Sequence, residues 1–183
     1  MLDSSFHRDA ALARPSVAPR ILLASAADVP FIVDAIVAGA RDGHFSCDCS
    51  RPDVLRGLWH QVQAVVSEGR TPLPGARDGA GGRAFVVQAG GVNAGFAMLV
   101  EREPGSWRDS VELFAMSVHP TFRGAGLGRH LVTSLVRDAQ SAHVYARVAF
   151  ASTAMNGLLR SCGFTLGARA DHGTVTLDYR RPA

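Results

Sequence analysis

Hydrophobic and polar positions alternate along this chain in a way that predicts strands and helices in turn. Residues 21–24, Ile-Leu-Leu-Ala, form a short apolar run of strand length. Asp28 follows as a helix cap, and Pro30 falls in the first turn, where a missing N–H costs little. The apolar positions carry that helix through about Ala38, with Gly39 as its stop. Residues 41–49 are polar and irregular, a predicted loop. From Pro52 onward Leu55, Leu58, Trp59, Val62 and Val66 recur at helical spacing, predicting a second helix that ends near Gly69.

Residues 71–83 are rich in Gly and Pro and lack a period, which predicts a long loop. A hairpin follows: residues 84–89, a turn at Gly90-Gly91, and residues 92–102. Gly95 inside the second arm predicts a bulge or a close backbone approach. A turn at Pro104-Gly105 leads to a fourth strand at residues 111–118. Leu127, Leu131, Leu135 and Ala139 make one apolar stripe of a helix from about residue 126 to residue 140. A fifth strand (144–150), a short helix (153–161) closed by Gly163, and one or two further strands around a turn at His172-Gly173 complete the order. There is no internal repeat. The expectation is an α+β chain with one mixed sheet, a single domain over residues 20–183 preceded by a loose tail over residues 1–19, which Pro15 and Pro19 interrupt.

Composition narrows the class. At 183 residues, 47% hydrophobic and 19% charged, the chain has enough apolar surface for a core and is not a disordered polymer. Nineteen basic residues against 16 acidic ones give a formal charge of only +3, spread along the chain, which argues against a nucleic-acid partner. A few arginines do suit an anionic small ligand. No apolar run is long enough to span a membrane, and the tail has no hydrophobic signal region, so a cytoplasmic location is expected. Three cysteines, an odd number, read as reduced thiols. Cys47-Asp48-Cys49 is half of a metal site without a second Cys or His pair at ligand spacing, so no metal is expected.

The chemistry concentrates between the fourth strand and the third helix, in Val118-His119-Pro120-Thr121-Phe122-Arg123-Gly124-Ala125-Gly126-Leu127-Gly128-Arg129. A glycine loop that opens a helix presents unpaired backbone N–H groups and the positive end of the helix dipole, a combination suited to a pyrophosphate. Arg123 and Arg129 can add charge-assisted contacts. The glycine spacing is not that of a dinucleotide fingerprint, and no Gly-Lys-Ser/Thr of a P-loop follows. The alternative is a glycine-rich turn that serves only close helix–strand packing.

Arg123-x-x-Gly126-x-Gly128 after Val118-x-Pro120 resembles the acetyl-CoA signature of GCN5-related N-acetyltransferases (GNAT). The stretch from Gly91 to Phe96 is similar to the hairpin between that family's second and third strands, and Cys162-Gly163-Phe164 to the Gly-Phe that ends its fourth helix. The resemblance implies a mostly antiparallel sheet of about six or seven strands with about four helices, and acetyl-CoA as the cosubstrate. It implies a fourth strand that splays from the fifth, with main-chain groups of Met116, Ser117 and Val118 pairing with the pantetheine arm. The pyrophosphate would lie on Arg123, Gly124, Ala125, Gly126, Leu127, Gly128 and Arg129, and Ser152 and Asn156 would flank the cofactor's far side.

The reaction needs a neutral amine, yet an alkyl amine with a pKa near ~10.4 is neutral in only about one molecule per thousand at neutral pH, so a base helps. Glu112 is the first candidate, because strand alternation puts it on the face of Phe114, Met116 and Val118; Asp109 is the fallback. The Val118 N–H is the candidate for stabilising the oxyanion. Many relatives carry a tyrosine four residues before the helix-ending glycine, as general acid; here that position is Leu159. Ser161, Cys162 and Tyr145 are the substitutes on offer, and protonation from solvent is the other route. Asp42, His44 and Asp48, with the turn at Asp171-His172, are candidates for the acceptor side, where exposed polar loop residues are the alternative reading. The acceptor would be an amine of a small molecule or a protein, and many relatives are dimers, so a homodimer is one expectation. The competing functions are a non-catalytic acyl-CoA sensor, which Leu159 favours, and a nucleotide or NAD binder using the same loop.

Overall fold

The computed structural model describes residues 18–71, 79–101, 109–139, 143–170 and 173–181. The expected tail up to residue 17, the turn at 104–105 and the acceptor candidates Asp171 and His172 lie outside them. Eight strands and four helices alternate among the described residues: β1 (Arg20–Leu23), α1 (Val29–Arg41), α2 (Pro52–Glu68), β2 (Arg70–Thr71), β3 (Ala80–Ala89), β4 (Val92–Val100), β5 (Ser110–Val118), α3 (Leu127–Asp138), β6 (His143–Ala149), α4 (Thr153–Ser161), β7 (Thr165–Ala170) and β8 (Thr174–Arg180). The sheet order is β1-β3-β4-β5-β6-β8-β7, with β2 pairing β3. Every neighbouring pair is antiparallel except β5 and β6, which run parallel. The two-residue β2 and the early start of β3 at Ala80 are additions to the expected pattern, in a stretch whose glycines hide strand character.

The sheet is the middle of three layers. On one face Leu131, Leu135 and Leu159 of α3 and α4 pack on Val111, Leu113, Ala146 and Val148. On the other, Ile32, Val33, Val62 and Val65 of α1 and α2 pack on Val86, Phe96 and Met98. Seven consecutive buried positions in β4 reflect coverage on both sides, which is why residues 94–100 read as a nearly continuous apolar run. Trp59 falls off the buried stripe of α2 and is 38% exposed.

Local chemistry explains most element ends, and it corrects two. Asp28 stands at the N-cap of α1, but its side chain does not cap that helix: after a 3-10 turn over Ala26–Asp28 it reaches back to accept both the Ser25 N–H (2.8 Å) and the Ser25 hydroxyl (2.8 Å). Asn93 of the β3–β4 hairpin donates to its other oxygen (2.7 Å). Burial alone would raise the Asp28 carboxyl, but the Ser25 and Asn93 hydrogen bonds outweigh it and hold the group below its ordinary value of 3.8. Gly39 does not stop α1, which runs on to Arg41. Its hydrogen instead leaves room for the Phe45 ring, since a Cβ there would come within 2.6 Å of Phe45 Cε2. Gly95 does admit a close backbone approach, beside a register shift between Val87 and Gln88.

A further correction concerns the middle of β5. Met98 pairs with Ala115 but Leu99 pairs with Leu113, so Phe114 is an extra, bulged residue. The bulge turns the alternation over: Leu113 and Met116 face α3, while Phe114 and Ala115 face α1. Glu112 therefore shares a face with Phe114, as expected, but not with Met116 and Val118.

Candidate active site

β5 and β6 are paired only from Ser110 to Glu112 against His143 to Tyr145. Past that point β5 follows β4 to Val118 while β6 follows β8 to Ala149, so the two strands part inside the sheet. A cavity of about 830 Å³ runs through the opening, from α1 on one face to the start of α3 and α4 on the other.

Main chain builds the α3 end. Gly126 is the N-cap residue with φ 81°, and Gly124 has φ 78°, conformations that favour glycine. The first helical bond runs from His130 N–H to Gly126 O, so the amides of Leu127, Gly128 and Arg129 precede the hydrogen-bonded ladder. Nothing lies within 4 Å of where a Cβ on Gly124 or Gly126 would stand, so the loop opens on space. Arg123 Nε donates to Val118 O (3.1 Å) and Arg129 Nη1 to Ser161 O (2.9 Å), which fixes both guanidinium groups at the rim. Such a cradle suits a di-anion of pyrophosphate size.

The parted edge of β5 offers further amides. His119 gives its N–H to Ala94 O on β4 (2.8 Å), and Ser117 O lies against Gly95 on the same side. By strand alternation the main-chain groups of Met116 and Val118 face the opening toward β6. The main chain of Ser117 points the other way, so of the three residues expected to pair with a ligand arm only two present their backbone there. The Ser117 side chain does line the cavity.

Side chains build the α1 end. Phe31, Asp34, Ala38 and Asp42 lie along one stripe of α1 and its end, and His44 and Phe45 follow in the loop. His44 Nδ1 and Ser152 Oγ are 3.2 Å apart, joining this loop to the start of α4 across 108 residues of sequence. From the sheet Arg147 reaches the cavity, and its Nε–H donates to Glu112 Oε1 at 3.0 Å. Arg147 and Asp34 escaped the sequence reading. A lone charged residue inside the apolar strand 144–150 was the available signal for the first.

Thus Met116, Ser117, Val118, Arg123, Gly124, Gly126, Leu127, Gly128, Arg129, Ser152, Asp42 and His44 are brought to one cavity. Five expected residues are not among those lining it. The fallback base Asp109 is exposed just ahead of β5, where its main-chain O accepts the His143 N–H (3.1 Å). Ala125 is exposed. Asn156 gives its Nδ2 to Ser152 O (3.1 Å) and Ala149 O (3.4 Å), pinning the strand-to-helix turn. Asp48 accepts the Ser50 hydroxyl (2.6 Å). Glu112 is buried behind Arg147. Among the acid candidates, Tyr145 stacks on His143, Ser161 donates to Leu158 O (2.6 Å) and Cys162 packs against the core. Leu159 is fully buried. Cys47 Sγ and Cys49 Sγ are 3.1 Å apart, and burial with the Cys49 contact pushes the Cys47 thiol up to about 11, so it is held protonated. No third His, Cys, Asp or Glu joins them among the described residues.

Comparison with known proteins agrees with this fold. Residues 53–164 match the Acetyltransferase (GNAT) family. A putative acetyltransferase from Salmonella typhimurium, yncA, solved with acetyl-CoA, aligns at TM-score 0.68 and 21% identity over 90% of this chain and 94% of its own. The PaiA N-acetyltransferase of Thermoplasma acidophilum, in complex with coenzyme A, gives 0.68 at 11% identity over 90% and 100%. Spermidine N-acetyltransferase of Vibrio cholerae, with CoA and spermine, gives 0.63 at 16% over 87% and 92%. No curated protein sequence matches the chain.

Proposed function

The chain belongs to the GNAT acetyltransferase family, and from that premise we propose that it transfers an acetyl group from acetyl-CoA to a primary amine, of a small molecule or a protein, by direct attack on the thioester. The observation that carries the reading is the parting of β5 and β6 in line with the free amides at the start of α3. A pantetheine-like arm can take the place of the missing strand pairing at Met116, while Arg123 holds the Val118 carbonyl, and a diphosphate can take the α3 amides. The thioester then points back toward the fork.

Attack by the amine places negative charge on the carbonyl oxygen. The Val118 N–H, directed into the opening, is the donor suited to it. Glu112 is the carboxylate at the fork and receives the amine proton through a solvent molecule, because Arg147 stands between it and the cavity. The thiolate, whose acid has a pKa near ~8.5, takes its proton from solvent, Leu159 having none to give. Three free cysteines among the described residues suit a reducing cytoplasm. Other members act on different amines: the Vibrio cholerae enzyme is a spermidine acetyltransferase, and the RimL protein acetylates the ribosomal protein L7/L12.

Incubating the protein with acetyl-CoA and a broad amine panel tests the reading through release of free CoA thiol. Turnover with at least one amine is expected. Tight CoA binding without turnover on any of them would instead favour a non-catalytic acyl-CoA sensor, the reading that Leu159 supports. The 3.0 Å bond to Arg147 favours a second role for Glu112, as the residue that positions the arginine. Glu112→Gln separates the two. Loss of the base should cut kcat/KM by about 100-fold and remove the rise of rate with pH. A positioning role would raise the acceptor KM and leave the pH profile in place.

A further inference from the structure

Arg147 holds a charge at the inner wall of the α1 end of the cavity, and the reading above gives it no task. It lies two residues past Tyr145, the last residue of β6 that pairs with β5. Its neighbours Ala146 and Val148 pack under α3 and α4, so its own side chain stands on the α1 face, away from the glycine loop. There it is 47% exposed, while Glu112, its partner, is 3% exposed at the side chain. Burying a carboxylate is costly unless it is paired. Glu112 meets that cost by fixing a guanidinium whose other end faces the cavity.

The hydrogen bond to Glu112 uses the Nε–H. The two terminal amino groups remain as a planar fork, the geometry that grips a carboxylate with two parallel hydrogen bonds. One guanidinium can bridge two carboxylates through its separate edges. Across the cavity, Asp34 and Asp42 present negative charge from α1 and its end. Phe31, Phe45 and Phe114 supply apolar wall in the same cavity. A cation on the sheet side and carboxylates on the helix side match a molecule with both charges. A polyamine would satisfy the aspartates but set a second cation against Arg147.

We propose that Arg147 reads the acid group of the acceptor, so that the acceptor is an amine carrying a carboxylate a few bonds away and an apolar body, the chemistry of an apolar α-amino acid. This rests on the acetyl-transfer reading only for the fate of the amine; the binding site itself stands apart from turnover. Asp34 and Asp42 draw in the ammonium group, and Arg147 orients the acid with the nitrogen toward the fork.

The test uses L-leucine and L-phenylalanine beside their amides, and spermidine, as acceptors for the full chain with acetyl-CoA. Free acids should exceed the amides in kcat/KM by at least ~10-fold, the worth of one charge-assisted bidentate contact. Arg147→Met should collapse that acid-to-amide ratio toward one, chiefly through the acid's KM, and Arg147→Lys should restore it in part. Calorimetric titration of the CoA-loaded protein with L-leucine provides a readout independent of catalysis, and binding should weaken at least ~10-fold in Arg147→Met. Should the methionine variant fold poorly without this guanidinium beside Glu112, the double variant Glu112→Gln with Arg147→Met removes both charges together and should show the same loss of leucine binding by calorimetry. Leucine binding without turnover of leucine or of any amine in the panel would keep the site and sink the transferase reading. Amides or spermidine preferred over the acids, no leucine binding to the unaltered protein, or an equal fall for acids and amides in Arg147→Met would overturn the proposal.

Discussion

The two ends of the cavity are made of different materials. At α3 the surface is main chain: glycines in left-handed conformation and helix amides ahead of the first hydrogen-bonded turn. At α1 it is side chain, drawn from a helix, a loop and a distant strand. A main-chain surface is indifferent to most substitutions and sensitive to a few glycines, so it can keep one ligand while the rest of the sequence drifts. A side-chain surface changes with every substitution. The pattern accounts for similar structures of 11–21% identity all holding coenzyme A or acetyl-CoA, while the two named for an acceptor differ in it, spermidine in one and the ribosomal protein L7/L12 in the other.

The contrast breaks most visibly at Gly126. A non-glycine residue in its conformation costs about 1–2 kcal/mol, more for a branched side chain. The Cβ of Gly126→Val would meet nothing within 4 Å in the protein. The loop would relax away from φ 81° and turn its amides, and the methyl groups would stand where a phosphate is proposed. CoA affinity should fall by roughly 30-fold or more, measured by calorimetry, while the far-UV circular dichroism stays native. Unchanged affinity would mean that the amides do not hold the ligand, and the comparison would collapse.

A smaller effect is expected at the other end. His44 Nδ1 and Ser152 Oγ share one partly exposed hydrogen bond, worth about 0.5–1.5 kcal/mol. His44→Ala should raise the acceptor KM by about 2–10-fold, more than it alters the Kd of CoA. The reverse order, a larger effect on CoA, would assign His44 to the cofactor and erase the division of labour between the two ends.

The same division explains what could be read before folding. Residues 123–129 are contiguous, so a chemistry that depends on local conformation is visible as a run of letters. The apolar stripe at Leu127, Leu131 and Leu135 likewise announces a helix whose buried face is fixed by its own period. Arg147 and Glu112 are 35 positions apart, and they meet because β5 and β6 pair in parallel around α3. No local pattern encodes that pairing. The bulge at Phe114 was hidden for a different reason: in an apolar strand covered on both faces, inserting one residue leaves the hydrophobic pattern intact while reversing which face each side chain serves. The assignment of Glu112 to the face of Met116 failed on that single residue.

The smallest predicted effect lies at Asp28, which ties the start of α1, and with it the wall of the α1 end, to Asn93 in the β3–β4 hairpin. Its hydrogen bonds hold the carboxyl below 3.8 in the folded chain despite burial, so the fold binds its proton less tightly than the unfolded chain does. The stabilisation is therefore fully present above the unfolded value, near pH 4, and is lost as pH falls through the lower folded value. Asp28→Ala should cost about 1 kcal/mol at pH 7, the usual net worth of a hydrogen bond to a charged group at a partly exposed site, lowering Tm by about 2–4 °C. At pH 3 the gap between variant and parent should narrow. Binding of CoA should hardly register the change, since the α3 end draws nothing from α1, whereas the acceptor KM should rise slightly. A gap of equal size at both pH values would show that the contribution is packing and not the charged carboxylate.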